Sequence, residues 1–487
     1  MTTDLPSAST RIDETAGPVS AGTQLCTVLA AVPRNADNVP RLYSNAASIY
    51  AEHGYAPGVD YCAIHIAETK LPVLFVPLPI VTDGAIGVQS DAGNTGTSEV
   101  AVAVGADGAL DKTSGVLRIV TGGTIGTSQI VFEYSLDGGL SFKKIKLGTA
   151  NSYVIPFVGL TISFGAGTLV AGDTALTWTT SAPMWDSAGM TAAKAALAKQ
   201  MNQSLNWLVV GDISTSTEAG YITTAANAYE TTDERYVLVR AQVRAATGAE
   251  TKSQWVSAMD TAMSTVANQK RLSLGLGEAY KLSPFTGFML SRPVSWADNI
   301  RAFQHDSHVA TWKKSNGPLD GWSLIDANKN LVHFDERADG GAIAAGFTCF
   351  RSWGNGPAGT FIAQSLTRAD INSPLSRTNN MAVANIAQTV CQAEAENAVG
   401  ESLILNSDGT AEQASLNVIK QRVESSLKRN LLANLRNEGK RASNVSWEPR
   451  NDDDLRVPGA TLNAVLALNL RGTLEHINTT VKINAGE

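Results

Sequence analysis

Three stretches of this 487-residue chain carry residue types that could do chemistry, and in each the spacing argues against it. Gly354-Asn355-Gly356-Pro357-Ala358-Gly359 has the letters of a dinucleotide-binding turn. Such a turn needs a helix opening at its third glycine, so that the helix N-terminus faces a pyrophosphate. Here Thr360-Phe361-Ile362 continues as a β-like run, and Pro357 stiffens the turn. A phosphate-loop reading fails too, because Thr360 stands where the phosphate-binding lysine belongs. His305-Asp306-Ser307-His308 lacks the helical spacing of a zinc protease and has no third ligand to offer, so it reads as a polar surface loop. Asp452-Asp453-Asp454 cannot converge on one cation, since consecutive carboxylates point apart, and reads as a solvated acidic loop. No Gly-x-Ser-x-Gly elbow is present. The expectation is a protein without catalytic centre, cofactor or metal.

Other residues point to contacts rather than reactions. From Glu412 to Arg441 the cations Lys420, Arg422, Lys428, Arg429, Arg436, Lys440 and Arg441 stand against three anions, a local +4 in a chain of net −7. Either this is the solvated face opposite a leucine stripe, or it docks on an acidic partner, giving register more than affinity. Cys26, Cys62, Cys349 and Cys391 are far apart and form no Cys-x-x-Cys pair. They read as buried reduced thiols, with an intersubunit crosslink as the alternative and Cys26 the best placed for it. At the C-terminus, Ile477, Thr479, Val481 and Ile483 alternate with polar residues, which is a strand following the last helix. A lone strand exposes ladder donors and acceptors, so the neighbour that covers it belongs to the same subunit or to the next one.

The elements that position these residues fall into a mixed α/β, multidomain pattern. Residues 1–24 are rich in Thr, Ser, Pro and Gly and read as an extended arm, with no apolar core that would make a secretory signal. Leu25–Ala31, Tyr61–Ile66 and Val73–Val76 are strand candidates, and Pro40–His53 a helix candidate. Between Gly84 and Pro183 the texture turns Gly- and Thr-rich, with short alternating runs at 115–121, 129–135, 160–164 and 175–180. That predicts a β-sandwich-like insert (84–183), folding on its own and dispensable, inside an α/β domain made of 25–83 and 184–339. In the second part of that domain Ser187–Ser204 and Lys252–Lys270 read as helices, and Trp207–Val210, Tyr236–Val243 and Arg271–Leu276 as strands. A C-terminal domain (340–473) holds strands at 347–353 and 360–365 and two long helices, Thr378–Val399 and Ala411–Asn437, before the closing strand and arm (474–487). The composition is 44% hydrophobic and only 17% charged, with no apolar run long enough for a membrane span. The acidic balance disfavours a nucleic-acid role.

Several of these segments resemble the contractile tail sheath proteins of bacteriophages and related injection machines. Leu25-Cys26-Thr27-Val28-Leu29-Ala30-Ala31 with the following loop and helix resembles the family's opening strand, and Phe350-Arg351-Ser352-Trp353-Gly354 its strand closing in Trp-Gly. Where relatives continue with Arg-Thr, this chain has Asn355-Gly356-Pro357. Asn372-Ser373-Pro374 with Arg377 is similar to the loop before the C-terminal helices, and Leu474 to Ile483 to the closing strand. Phe132 to Gly139 and Ala171 to Thr174 are similar to outer β domains spliced into phage sheaths. The resemblance implies hexameric rings stacked as a helical sleeve around a tail tube protein, bounded by baseplate and tail terminator proteins. It implies a C-terminal domain against the tube, outward-facing inserts, and terminal arms that link neighbours. It further implies a non-enzymatic virion component, assembled in the host cytoplasm, whose contraction drives the tube through the envelope. The alternative from another class is a carbohydrate-binding or adhesive virion protein, recognisable by a groove of exposed aromatics with paired carboxylates. The insert offers Tyr134, Phe142 and Trp178, but Phe132/Tyr134 and Thr177/Thr179 alternate like ordinary core and surface.

Overall fold

A computed structural model describes residues 25–200, 205–324, 341–353, 358–398, 402–433, 438–450, 456 and 463–472. The chain opens with β1 (Cys26–Val32), β2 (Arg41–Tyr43), α1 (Ala46–His53), α2 (Pro57–Thr69) and β3 (Val73–Pro79). Ten strands follow: β4 (Ile86–Ser90), β5 (Val100–Val104), β6 (Ser114–Thr121), β7 (Gly123–Thr124), β8 (Ile130–Ser135), β9 (Lys143–Gly148), β10 (Ser152–Ile155), β11 (Leu160–Phe164), β12 (Thr168–Leu169) and β13 (Thr174–Thr180). Then come α3 (Ser187–Ala198), β14 (Asn206–Ile213), α4 (Ser216–Thr231), β15 (Leu238–Val243), α5 (Lys252–Ala262), β16 (Leu272–Gly275), β17 (Glu278–Leu282), β18 (Met289–Pro293) and α6 (Val294–Gln304). The last part holds β19 (Trp322–Ser323), β20 (Cys349–Arg351), β21 (Phe361–Gln364), α7 (Thr378–Glu396), α8 (Gln413–Leu431), β22 (Ala442–Arg450) and β23 (Asn463–Leu470). The fold is thus mixed α/β with several sheets, and among the described residues no helix is long and apolar enough to cross a membrane.

One sheet organises the α/β body, in the order β16-β15-β14-β1-β3-β2, parallel except for the edge strand β2. Both faces are covered, which is why β1 reads as one apolar run rather than an alternating one. Leu29 and Ala31 face α3, α4 and α5 in one core, while Cys26, Val28, Ala30 and Val32 face α1, α2 and α6 in the other. The predicted strand at 61–66 is instead the middle of α2. Pro57 starts that helix, and Gly58 through His65 are all buried, so burial on every side hides the helical period. Pro77 does not stop β3. The pairing to β2 ends at Phe75, so the proline lies beyond that ladder.

The Gly/Thr-rich segment forms a five-stranded sheet (β4-β13-β6-β8-β9) and a three-stranded one (β10-β11-β5) around a core that includes Phe132, Leu160, Ile162 and Trp178. That core is not closed. Tyr55, Phe288 and Leu290 from the α/β body belong to it, so the segment and the body share apolar packing. Its two ends meet at one antiparallel bridge, Thr82 with Met184.

Candidate assembly surfaces

The C-terminal helices and the last two strands make a small unit with its own core. Val383, Ile386 and Val390 of α7 pack on Ile419, Val423 and Leu427 of α8, and Val445 and Trp447 of β22 close it. The predicted periodicity of the second helix is what builds this face. The helix ends at Leu431 rather than Asn437, and β22 and β23 are strands that the sequence reading did not name. β22 and β23 pair antiparallel over eight register positions, from Ala442 with Leu470 to Arg450 with Asn463. Among the described residues no third strand pairs with either, so both outer edges of this ribbon present unused backbone donors and acceptors. A two-stranded ribbon is marginal on its own, and α7 and α8 supply the support it needs.

The cations of the basic stretch are only partly available. Lys420 is 2.5 Å from Glu448 of the ribbon, and Lys428 is 2.7 Å from Glu424 one helical turn earlier. Arg429 donates to the Ser426 hydroxyl, and Arg422 is half-buried. Arg441 is not on the helix. It is buried at the start of β22 and paired with Asp306 at 2.8 Å, which removes it from any exposed basic patch. Lys428, Arg429 and Lys440 remain exposed. Arg436 lies outside the described residues, as do Ile477, Thr479, Val481 and Ile483 of the predicted closing strand, residues 1–24 and Asp452-Asp453-Asp454.

Burial corrects the crosslink expectation for Cys26. Its thiol sits in the middle of the central sheet, accepts from Asn299 Nδ2 at 3.1 Å, and is pushed up to about 12 by burial. Cys62 and Cys349 are buried as well, and the half-buried Cys391 is the most accessible of the four. All four are free thiols. Burial likewise redefines the insert's aromatics. Tyr134 and Trp178 are core residues, and Phe142 lies under the Arg118 guanidinium at 4.3 Å. These three make no exposed aromatic groove.

Gly354 to Pro357 lie outside the described residues, but Phe361–Gln364 is strand β21, as a plain glycine turn requires. In open α/β sheets, ligands favour the crevice at the carboxyl ends of the strands where the winding direction reverses. Here that point lies between β1 and β14. It holds a cavity of about 50 Å³, roofed by Asp111, Lys112, Ala182 and Pro183 of the insert. Lys112 enters it to pair with Glu278 at 2.5 Å and Asp212 at 3.5 Å. Beside it, Arg292 reaches Asp60 at 2.5 Å and Asp111 at 2.8 Å, with all three side chains at most 3% exposed. Tyr55 donates to Asp111 at 2.5 Å, and Ser283 to Asp60 at 2.7 Å. Burial lifts the Asp60 carboxyl above its ordinary range, against the pull of Arg292. No motif or spacing marks this cluster, whose members are brought together from positions 55 to 292.

No known protein family and no curated protein sequence matches the chain. Among solved structures, it is similar to a chain of the anti-feeding prophage baseplate in its contracted state, with 10% identity, 99% of both chains covered and a TM-score of 0.49. It is similar to a sheath tail protein from Desulfitobacterium hafniense, with 10% identity, coverage of 97% and 100%, and a TM-score of 0.44. It is also similar to one from Listeria innocua, with 11% identity, coverage of 92% and 96%, and a TM-score of 0.44.

Proposed function

We propose that this chain is the structural, non-enzymatic subunit of a contractile tail sheath. The observation that carries the reading is the β22–β23 ribbon, which no third strand joins among the described residues, on a separately cored unit. The same sequence also carries a strand-like segment at 474–483. A strand from one copy laid on the ribbon of the next is a heterologous contact, and repetition of such a contact gives rings or helical polymers. Subunits joined this way form hexameric rings stacked around a tail tube, with baseplate and terminator proteins at the ends. The C-terminal unit faces the tube, with Lys428, Arg429 and Lys440 on that side, and the insert faces outward. The assembly is a virion component built in the host cytoplasm, and its contraction drives the tube through the envelope for genome delivery. Energy stored at assembly, rather than a nucleotide, powers that step.

Removing Ile477 to Glu487 tests the contact. The expected product is a soluble, folded subunit with an unchanged melting temperature that no longer forms tubes by electron microscopy. Unaltered tubes would show that the segment is no donor. A collapsed melting temperature would place it in its own subunit's core, where three aliphatic side chains contribute about 1.5–3 kcal/mol each.

A further inference from the structure

The crevice between β1 and β14 is shaped by an irregularity in β14. The register to β15 runs Leu208 with Arg240 and then Asp212 with Gln242, so β14 spends Val209, Val210 and Gly211 where β15 spends Ala241 alone. A bulge of this kind bends its strand and re-aims the side chain that follows. Gly211 permits the bend at φ +149°, in a space so tight that a Cβ would stand 2.7 Å from Met184 Sδ. Past the bend, Asp212 and Gln242 are register partners on neighbouring strands, whose backbones run about 4.8 Å apart. Both line the cavity of about 50 Å³.

These two neighbours are short of hydrogen-bond donors. Gln242 is 2% exposed, and its Nε2 donates to the Gly277 carbonyl at 3.2 Å, which fixes the amide's orientation. Its Oε1 is then left without a partner among the described residues, a costly state for a buried acceptor. The Asp212 carboxylate is met only by Lys112, at 3.5 Å, among the described residues. Glu278 beside it is fully engaged, by Lys112 at 2.5 Å and by the Ser291 hydroxyl at 2.7 Å. Lys112 therefore leans to Glu278 and leaves Asp212 under-paired. With the adjoining cluster included, four carboxylates (Asp60, Asp111, Asp212 and Glu278) face two cations, Lys112 and Arg292. The group that would complete the crevice is positive and rich in N–H donors. A metal ion fits poorly, since no three His, Cys, Asp or Glu side chains are grouped to hold one among the described residues. Solvent reaches the mouth, where Asp212 is 42% and Lys112 32% exposed.

We propose that this crevice is a binding site for a small primary ammonium ion, R–NH₃⁺, whose N–H groups bridge the Asp212 carboxylate and Gln242 Oε1. Three donors on one charged nitrogen suit two adjacent acceptors, one of them ionised. Ala31, Val209 and Trp296 give the same cavity an apolar wall for the carbon end. Its volume of about 50 Å³ holds about three waters, more than the two heavy atoms of methylammonium. Arg292 Nε, on the same wall, is unpartnered as well, and a water entering with the ion can accept from it. The site goes beyond the assembly reading and does not rest on it, because every residue it uses belongs to one chain.

Saturation-transfer NMR on the full chain tests the site with methylammonium chloride as the probe. Tetramethylammonium chloride at the same concentration supplies a cation of equal charge with no N–H. The expected result is a saturable methylammonium signal with a dissociation constant in the millimolar range, as befits so small a ligand, and no saturable signal from tetramethylammonium. Asp212→Asn and Gln242→Leu should each weaken methylammonium binding by about tenfold or more, in proteins of unchanged circular dichroism. A signal that does not saturate overturns the proposal and leaves the cavity to water. Equal binding of tetramethylammonium overturns it too, as does an affinity unchanged in Asp212→Asn. If Gln242→Leu does not fold, Asp212→Asn and the tetramethylammonium comparison decide.

Discussion

His65 shows what complete burial does to a titratable group. It lies on α2 against Phe303 with its Nδ1 at 3.0 Å from the Tyr61 hydroxyl, and its Nε2 has no partner among the described residues. Desolvation lowers it from 6.5 to about 4, so it is neutral in the folded protein where the unfolded chain already binds a proton. Stability is therefore present above 6.5 and is lost as pH falls toward 4. The span corresponds to about 3 kcal/mol at 1.36 per unit. Urea titrations of the wild type and His65→Phe should diverge by that amount across the window, with the variant flatter. Parallel curves would mean that the ring is hydrated. No periodicity in the sequence marked this residue, because its environment is assembled from α2 and α6 across more than two hundred positions.

At the scale of elements, what could be read depended on which faces are wet. α8 has one dry face, and its leucine spacing was plain. β6, β8 and β13 alternate, and their bounds follow the sequence within a residue or two. α2 has no wet face along Gly58 to His65, and its apolar run imitated a strand. α4 was invisible for the opposite reason, since its buried positions are mostly Ala and Thr and carry little apolar signal. Its start was nonetheless written in Thr215-x-x-Glu218, where the Thr215 hydroxyl takes the Glu218 N–H and the Glu218 carboxylate takes the Thr215 N–H at 2.9 Å. Thr215→Ala should lower stability by about 1 kcal/mol. Glu218→Ala added to it should cost less than it does alone, measured as shifts of the denaturation midpoint. β22 and β23 escaped because Pro449 and Glu448 interrupt the first, and its pairing with Leu466, Leu468 and Leu470 is non-local.

For the whole molecule, the β-rich texture of the Gly/Thr-rich segment was legible and its attachment was not. Composition alone suggested a removable module. Arg292 with Asp60 and Asp111, together with Tyr55, Phe288 and Leu290 in the shared core, makes the body depend on it. Deleting 84–183 across a short Gly/Ser linker leaves a buried guanidinium with one of its two carboxylates and uncovers three apolar side chains. The expected product is poorly soluble, since breaking a buried pair costs about 3–5 kcal/mol. Adding Arg292→Met and Asp60→Asn to the deletion should recover soluble protein, judged by size-exclusion yield. Equal yield with and without those changes would show that the cluster contributes nothing to the join.

The single bridge between Thr82 and Met184 carries a consequence for redesign. Backbones paired in this way run about 4.5–5.5 Å apart, a gap that the adjacent ends of many compact domains can span. The position is therefore a grafting socket: foreign domains with neighbouring termini can be spliced there, one per chain. What such a passenger must bring is a carboxylate at the place of Asp111 and apolar cover for Tyr55, Phe288 and Leu290, because the socket's floor is a charged plug set beside an apolar patch.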